Sequence, residues 1–260
     1  MTDFGEDDFF VASLKGVILK INPSARIVDI THYIPSYNLE AASFILSASF
    51  RYFPPQTIFL VVVDPGVGSA RKILLAKTKD YYFIAPDNGV LTLVLEEEKV
   101  DRLREVTNEK YFLPEQSLTF QGRDRMAPAA AWLSKGISCE EFGPELSSYE
   151  KFRAEKPEIK GNEIVGNVLY EDKFGNLITN IPSEWLNRLQ EKTGKGGFVL
   201  SVKGHEISSF VQSYSSVKRG ELLFLAGSVG TVEIAAGQES AAEKLKAKIG
   251  DEVRIGVKAR

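Results

Sequence analysis

FLVVVDPGVGSARK, residues Phe59 to Lys72, begins as an unbroken apolar run and ends in a short loop that carries Asp64 and Arg71. A valine-rich run without polar alternation is typical of a strand that helices cover on both faces of a sheet. Ligands of open α/β sheets bind outside the carboxyl ends of the strands. The stretch therefore predicts an α/β domain, and it puts a carboxylate and a guanidinium where such a domain binds small molecules.

Helical and strand periodicities alternate on both sides of this strand, which favours an α/β domain with a largely parallel or mixed sheet. In chain order, the pattern predicts a helix from Phe9 to Ile21, a strand from Arg26 to Ile30, a helix from Leu39 to Arg51, strands at Ile73 to Lys77 and Tyr81 to Ile84, and helices at Val90 to Glu96 and Ala127 to Leu133.

The second half of the chain has short strand-like runs between glycine-containing turns, with one helix near Pro182 to Gln190. That pattern is typical of a smaller all-β, barrel-like domain. The polar segment Arg153 to Glu163 lacks periodicity, so we interpret it as a linker between an α/β domain at residues 1–155 and a β domain at residues 164–260. The predicted strands are Ile164 to Tyr170, Gly197 to Val202, Glu221 to Leu225, Thr231 to Ala235 and Glu252 to Val257.

The composition favours a globular protein that acts on small molecules. Of the 260 residues, 43% are hydrophobic and 26% charged, and the net charge of -3 gives no reason to expect nucleic acid or an acidic membrane as a partner. Cys139 is the single cysteine and has no metal-ligand spacing around it, which favours a reducing compartment and no metal site. No apolar stretch approaches the roughly 20 residues that span a bilayer, and the start resembles no signal peptide. We expect a cytoplasmic protein.

Two motifs allow other interpretations. The glycines of DPGVGSAR could cradle a phosphate, but the loop lacks a Gly-Lys-Ser/Thr ending and no GxGxxG opens a helix. In TDFGEDD, the DFG triplet of protein kinases lacks its companion motifs. The acidic residues there could ligate a hard cation. Glu6, Asp7 and Asp8 are better explained as residues that favour the start of the following helix, and Asp3 stands apart from them.

Several motifs occur along the chain in this order: TDFGEDDFF (Thr2 to Phe10), DITHYIPSYNLEAA (Asp29 to Ala42), VVVDPGVGSAR (Val61 to Arg71), APDNGVL (Ala85 to Leu91), TFQGRDRMAPAAA (Thr119 to Ala131), DKFGNLITNI (Asp172 to Ile181) and GSVGTVEIA (Gly227 to Ala235). Together they closely resemble the S-adenosylmethionine (SAM) hydroxide adenosyltransferases, the SAM hydrolases related to the fluorinase and chlorinase enzymes. The resemblance covers nearly the whole chain, and a series of motifs is more specific than any one of them.

The resemblance implies an N-terminal α/β domain joined to a smaller β domain, assembled as a homotrimer with the sites between neighbouring subunits. It implies that water or hydroxide attacks C5′ of the ribose in SAM and expels methionine, leaving adenosine. SAM is then a substrate, and no cofactor is implied. The leaving group is a neutral thioether that needs no acid catalyst, so the enzyme has to position the nucleophile and strip it of bulk water.

The resemblance also implies a role for individual residues. Asp64 and Arg71 hold and polarise the attacking water, and Gln121 takes the third position of this catalytic set. Without the resemblance, core packing would explain the two aromatic residues that follow. The implied substrate contacts are Asp3 with the ribose hydroxyls, Tyr37 against the nucleoside, Asp172 with the methionine ammonium, Phe174 stacked on adenine, Asn176 hydrogen bonded to adenine, and Ser228 with the methionine carboxylate.

Two features depart from the family pattern. The family usually has TFHGRD, whereas this chain has Gln121 in TFQGRD, and glutamine cannot titrate as imidazole does. We interpret the two histidines of the chain, His32 and His205, as a structural residue and a hairpin-turn residue. Gln121 leaves open a different class of function, a catalytically weak protein that binds SAM or adenosine. The second departure is that Met1 directly precedes TDFG, where the family usually has a short apolar strand.

Halogenation is a further alternative within the wider family. Halide-using members carry a long insertion before the APNNG motif and a non-acidic residue at the position of Asp64. Here a short connection, Lys72 to Ile84, separates Arg71 from APDNG. A carboxylate at position 64 would repel a halide and suits water, so hydrolysis is the better prediction.

Overall fold

The computed structural model describes residues 1–153, 155–193 and 196–258. The chain divides into two compact units, Met1–Phe152 and Arg153–Arg260. Each unit buries an apolar cluster of its own. Among the described residues, no helix is both long and apolar enough to cross a membrane.

The first unit is built on a mixed sheet of four strands in the order β1-β3-β2-β4. Strand β1 runs parallel to β3, and β2 runs antiparallel to both of its neighbours. Nearly all residues of β2 and β3 are buried, as expected for strands covered on both faces. The strands are β1 (Thr57–Leu60), β2 (Ile73–Thr78), β3 (Tyr81–Pro86) and β4 (Val100–Glu105).

Helices cover this sheet, and the predicted helices of this half are all confirmed. Their starts follow local signals: the Asn38 side chain accepts a hydrogen bond from Ala41 N–H at the start of α2, and Pro128 lies in the first turn of α4. Helix α1 packs against α4, and α2 packs against α3. The helices are α1 (Phe10–Ile21), α2 (Leu39–Ser49), α3 (Thr92–Glu97) and α4 (Ala127–Ser134).

The strand predicted at Arg26 to Ile30 is wrong. The segment is not assigned to a strand, because no described strand forms a hydrogen-bonded ladder with it. The strand predicted in the run that begins at Phe59 is shorter than expected. Strand β1 ends at Leu60, although Val61 to Val63 continue as buried residues. Val62 N–H donates to Met1 O at 3.0 Å, and Thr2 forms a parallel bridge with Val62. This pairing brings the residue after Thr2 close to the end of the buried run.

The second unit is an antiparallel sheet whose main path is β10-β11-β7-β6-β12-β8-β9, with β5 beside β6. Residues just after β9 hydrogen bond to β10: Phe224 N–H donates to Ser209 O, and Val211 N–H donates to Phe224 O. These bonds join the two ends of the path, so the sheet is barrel-like, as predicted. The strands are β5 (Glu158–Lys160), β6 (Glu163–Glu171), β7 (Leu177–Pro182), β8 (Gly197–Val202), β9 (His205–Ile207), β10 (Leu222–Ala226), β11 (Thr231–Ala236) and β12 (Glu252–Lys258).

The described residues of this unit also form the helices α5 (Trp185–Thr193) and α6 (Ala241–Leu245). Leu186 and Leu189 of α5 enter the apolar cluster of the barrel, which confirms the helix predicted near this position. The linker predicted at Arg153 to Glu163 is wrong in part. Glu158–Lys160 pair with the start of β6 as a hairpin, because the polar run still offers a complete set of backbone donors and acceptors.

Candidate active site

The loop after the buried valines folds back on itself at the edge of the sheet. Val67 N–H donates to Asp64 O, and Ser69 N–H donates to Gly66 O, so two successive turns reverse the chain. Gly68 has a φ of +84°, and a Cβ there would lie 3.1 Å from Leu118 O. Glycine meets both demands, and the loop therefore returns Arg71 to the strand end from which it started.

Asp64 and Arg71 form a bidentate ion pair. Arg71 Nε donates to Asp64 Oδ1 at 2.8 Å, and Arg71 Nη2 donates to Asp64 Oδ2. The side chains are only 6% and 9% exposed, respectively. A two-point pair of this kind fixes the carboxylate plane, so Asp64 is held in one orientation by the planar guanidinium.

Gln121 joins the same group through Arg71. Its Oε1 accepts a hydrogen bond from Arg71 Nη2 at 2.8 Å, and the residue is buried. With the carbonyl turned to the guanidinium, the amide nitrogen is the group of Gln121 that can donate to a ligand. The structure therefore brings Asp64, Arg71 and Gln121 together, the three residues that the sequence predicted to act as a set.

A one-turn π-helix, Gly122–Met126, follows Gln121 and leads into α4. A Cβ on Gly122 would lie 2.8 Å from Val62 Cγ1, so the absence of a side chain lets this turn approach the buried strand. Asp124 is fully buried in the turn and accepts a hydrogen bond from Ser117 N–H at 2.7 Å. Single π-turns occur often at functional sites, and this one aims Gln121 at Arg71.

Asp3 and Tyr37 meet on another side of the same region. Tyr37 N–H donates to Asp3 Oδ2 at 2.9 Å, and Tyr37 has a φ of +65°, which is uncommon for a residue with a side chain. Tyr37 is 70% exposed, so it is not the core residue that packing alone would predict. The positive φ turns its N–H toward the carboxylate, which anchors the segment to Asp3.

These side chains surround one cavity of about 290 Å³ in the first unit. Arg71 is not part of the lining and holds Asp64 from behind. A carboxylate, an amide and an exposed aromatic ring around an apolar floor suit a polar ligand with a flat group. The lining includes Asp3, Tyr37, Asp64, Val67, Phe120 and Gln121.

Three predicted site residues of the second unit, Asp172, Phe174 and Asn176, lie in a tight turn between β6 and β7. Asp172 Oδ1 accepts hydrogen bonds from the backbone N–H groups of Phe174 and Asn176, and Asp172 Oδ2 accepts one from Asn176 Nδ2 at 2.9 Å. Gly175 has a φ of +78° and lies directly against Ser240. Phe174 is 67% exposed. The turn thus presents an aromatic ring beside a carboxylate and an amide.

Ser228 lies in the turn between β10 and β11 and is exposed. The structure also shows a buried carboxylate in the second unit that the sequence did not predict. Glu233 of β11 is buried, and its Oε1 accepts a hydrogen bond from Tyr214 OH at 2.5 Å. Burial raises the pKa of Glu233, and the Asp172 carboxylate raises it further, although the Tyr214 hydrogen bond acts in the opposite direction. A charged residue inside the apolar run TVEIAA was the available signal.

His32 is buried and supports the N-terminal segment. Its Nδ1 lies 2.9 Å from Thr2 Oγ1, and its Nε2 lies 3.0 Å from Asp29 Oδ1. It does not line the cavity that contains Asp3 and Asp64. Among the residues that the structure describes, no cluster of three or more His, Cys, Asp or Glu side chains could hold a metal ion.

Comparison with known proteins gives consistent matches over nearly the whole chain. Residues 1–143 match the SAM hydroxide adenosyltransferase N-terminal domain, and residues 166–254 match the C-terminal domain of the same name. The chain is 33% identical to the (R)-S-adenosyl-L-methionine hydrolase of Methanocaldococcus jannaschii, over 98% of this chain and 93% of that protein. It is 34% identical to the protein of the same name from Thermus thermophilus, over 98% and 97%. A fluorinase from an Actinoplanes species is 32% identical over 70% of each chain.

Solved structures agree with this. The crystal structure of an uncharacterized conserved protein from Thermotoga maritima matches with a TM-score of 0.91 and 41% identity, over 98% of each chain. The crystal structure of a conserved hypothetical protein from Thermus thermophilus matches with a TM-score of 0.78 and 31% identity, over 98% of this chain and 97% of that one.

Proposed function

The chain belongs to the SAM hydroxide adenosyltransferase family, and we propose on this basis that it is an enzyme that hydrolyses SAM to adenosine and L-methionine. The relatives that carry this activity in their name match along nearly the full length of the chain. The observation that carries the proposal within the fold is the buried Asp64–Arg71 pair at the wall of the cavity.

The reaction is a displacement at carbon. A water molecule attacks C5′, the bond between C5′ and sulfur breaks with its electron pair going to sulfur, and methionine leaves as a neutral thioether. The proton of the water passes to Asp64 or through it to solvent. Arg71 holds the carboxylate plane by two hydrogen bonds, and Gln121 Nε2 can donate to the oxygen of the same water. The residues position the nucleophile at the wall of the cavity, and positioning of the reacting atoms is one source of rate in such displacements.

In the first unit, Asp3 would bind the ribose hydroxyls and Tyr37 would pack against the nucleoside. Tyr37 N–H already occupies one position on Asp3 Oδ2, which fixes the carboxylate and leaves Oδ1 to accept from a diol. The exposed Tyr37 ring beside the cavity is consistent with a surface that a ligand covers.

In the second unit, Phe174 would stack on adenine and Asn176 would hydrogen bond to it. Asp172 would contact the methionine ammonium, and Ser228 the methionine carboxylate. We further propose a homotrimer in which each site combines the first unit of one subunit with the second unit of its neighbour, acting in the cytoplasm. We propose no nucleic-acid or membrane partner. SAM is the substrate, and the proposed reaction uses no cofactor.

Mass spectrometry of the products in ¹⁸O-labelled water tests this function. Purified protein should convert SAM to methionine and to adenosine that carries the solvent oxygen at C5′. Intact SAM together with measurable binding of SAM or adenosine would favour the catalytically weak binder instead. Addition of chloride or fluoride should give no 5′-halo-adenosine, because a carboxylate at position 64 repels a halide.

A further inference from the structure

The hydroxyl of Thr2 forms a hydrogen bond across Asp3. Phe4 N–H donates to Thr2 Oγ1 at 3.2 Å, so the side chain of one neighbour of Asp3 holds the backbone of the other. Thr2 is only 1% exposed, and a buried hydroxyl that accepts one hydrogen bond still has its own proton to donate. The acceptor of that proton therefore helps to fix the short stretch of backbone that carries Asp3.

His32 provides this acceptor. Its Nδ1 lies 2.9 Å from Thr2 Oγ1, and its Nε2 lies 3.0 Å from Asp29 Oδ1. A carboxylate only accepts hydrogen bonds, so in the neutral ring Nε2 carries the proton and Nδ1 is left to accept from Thr2. The backbone of His32 takes part as well, because Gly5 N–H donates to His32 O at 2.8 Å. His32 thus contacts the chain on both sides of Asp3.

Asp29 lies at the other end of this chain of contacts. Lys15 Nζ of α1 donates to Asp29 Oδ2 at 2.5 Å and so occupies the oxygen that His32 does not contact. Burial acts to raise the pKa of Asp29, but hydrogen bonds from Lys15 and His32 hold that pKa below its usual value. The ionised carboxylate favours the tautomer of His32 that accepts from Thr2. Neither His32 nor Thr2 lines the cavity that contains Asp3.

We propose that His32 is a positioning residue for the ribose site and that it acts on Asp3 through the Thr2 hydroxyl. The inference rests on the proposed function and adds to it a residue that does not touch the substrate. Without the acceptor at Nδ1, the Thr2 hydroxyl has to turn to another partner and no longer holds Phe4 N–H in the same geometry. The Asp3 carboxylate is then less well placed to accept from the ribose diol.

Calorimetry with adenosine tests this through a matched pair of variants. His32→Asn puts an amide oxygen near the position of Nδ1 and keeps the acceptor for Thr2, whereas His32→Leu has the same branching without a polar atom. His32→Leu should weaken adenosine by about 10-fold, the lower range for one charge-assisted hydrogen bond, and His32→Asn by less than about 3-fold. The control is His205, which is exposed in β9: His205→Leu should leave the affinity unchanged.

Two further measurements separate positioning from a general loss of structure. In the Asp3→Ala background, His32→Leu should change the affinity for adenosine by less than about 2-fold, because its effect passes through Asp3. The ligand 2′,3′-dideoxyadenosine lacks the diol, so its affinity should be nearly the same in His32→Leu and in the parent. Thr2→Val and Thr2→Ser, which remove and keep the hydroxyl, should differ in the same way, and they decide the question if His32→Leu does not fold.

Other outcomes overturn the inference. Equal weakening of adenosine by His32→Leu and His32→Asn, or an undiminished effect of His32→Leu in the Asp3→Ala background, would make His32 a structural residue only. Unchanged affinity in His32→Leu would remove it from the ribose site. If SAM stays intact while the two His32 variants differ as expected, only the proposed hydrolysis fails. If Asp3→Ala binds adenosine as the parent does, the inference fails whether or not SAM is hydrolysed.

Discussion

The two hydrogen bonds between Arg71 and Asp64 decide what the carboxylate can do. Because both oxygens are engaged on one side, the remaining lone pairs face the cavity, where a water can be held in a single place. Gln121 contributes an amide in a position where a titrating group would act as a base. At the scale of single residues, hydrogen bonds thus hold Asp64, Arg71 and Gln121 in place, and Asp64 is the one of the three that can accept a proton.

Gln121→His should raise the turnover number by roughly 10- to 100-fold, toward the lower part of what general base catalysis contributes. To act as the base, the ring has to turn its one unprotonated nitrogen to the cavity, so it cannot also replace Gln121 Oε1 as the acceptor for Arg71 Nη2. The rate should also rise with pH near 6 to 7, because neutral imidazole is the base and its pKa lies in that range. The pH profiles of variant and parent are the measurement. An unchanged rate with a flat profile would put position 121 outside the proton path.

Asp64→Asn should lower the turnover number by at least about 100-fold, since it removes the proton acceptor while keeping the shape. Arg71 would also lose its charged partner inside the protein, which costs on the order of 3 to 5 kcal/mol for a buried pair. Urea unfolding therefore has to accompany the rate measurement. A folded variant with parental turnover would contradict the assignment of Asp64.

Asp3→Ala separates ribose recognition from chemistry. It should weaken adenosine by roughly 10-fold or more, because charge-assisted hydrogen bonds contribute on the order of 1.5 to 3 kcal/mol each. Asp64→Asn should leave the affinity for 5′-deoxyadenosine, which lacks the oxygen that Asp64 holds, within about 3-fold, whereas Asp3→Ala should weaken this ligand as it weakens adenosine. Titration calorimetry of both variants decides the question, and equal losses in the two would rule out this division of roles.

At the scale of elements, the approach of the π-turn to the strand end fixes the position of Gln121. Gly122→Ala adds a Cβ only 2.8 Å from Val62 Cγ1, so the turn or the strand must move. We expect a loss of about 1 to 3 kcal/mol in the free energy of unfolding, as in other overpacked sites, together with reduced turnover. Chemical denaturation and steady-state rates measure the two effects.

Gly16 provides the matched control for this substitution. It lies in α1, and an added Cβ would have nothing within 4 Å. Gly16→Ala should therefore raise the free energy of unfolding by about 0.5 to 1 kcal/mol through helix propensity alone, with unchanged turnover. If Gly122→Ala were as stable and as active as Gly16→Ala, the close approach of the turn would have no role in the site.

The elements that the sequence predicted well are those that local signals determine. The helices α1, α2 and α4 follow apolar periodicity, and the glycine-bounded strands of the second unit follow their turns. Arg26 to Ile30 has the composition of a strand, but a strand also needs a hydrogen-bonded neighbour, which a single segment cannot reveal. The same limit explains the hairpin of β5, which is too polar to be recognised without its partner.

The site residues likewise divide into those that local sequence predicts and those that only the fold brings together. Asp64 and Arg71 were predictable together because one short loop joins them, and Gln121 was placed with them by resemblance alone. Glu233 was missed, because the two residues that determine its surroundings are distant in sequence: Tyr214 donates a hydrogen bond to it, and Asp172 raises its pKa. Residues that act through long-range neighbours need the fold before their chemistry can be argued.

At the scale of the whole molecule, the proposed trimer can be tested by mixing two variants that are each inactive alone. Asp64→Asn alters the first unit and Asp172→Asn the second, and each variant alone should be nearly inactive. If a site combines units from two neighbouring subunits, mixed trimers from equal amounts should regain about a quarter of the parental activity, because random assembly around a heterologous interface leaves that share of sites intact. Mixing after mild dissociation, with light scattering to confirm the trimer mass, is the experiment. Activity that stays near zero in verified mixed trimers would show that each site is built within one chain.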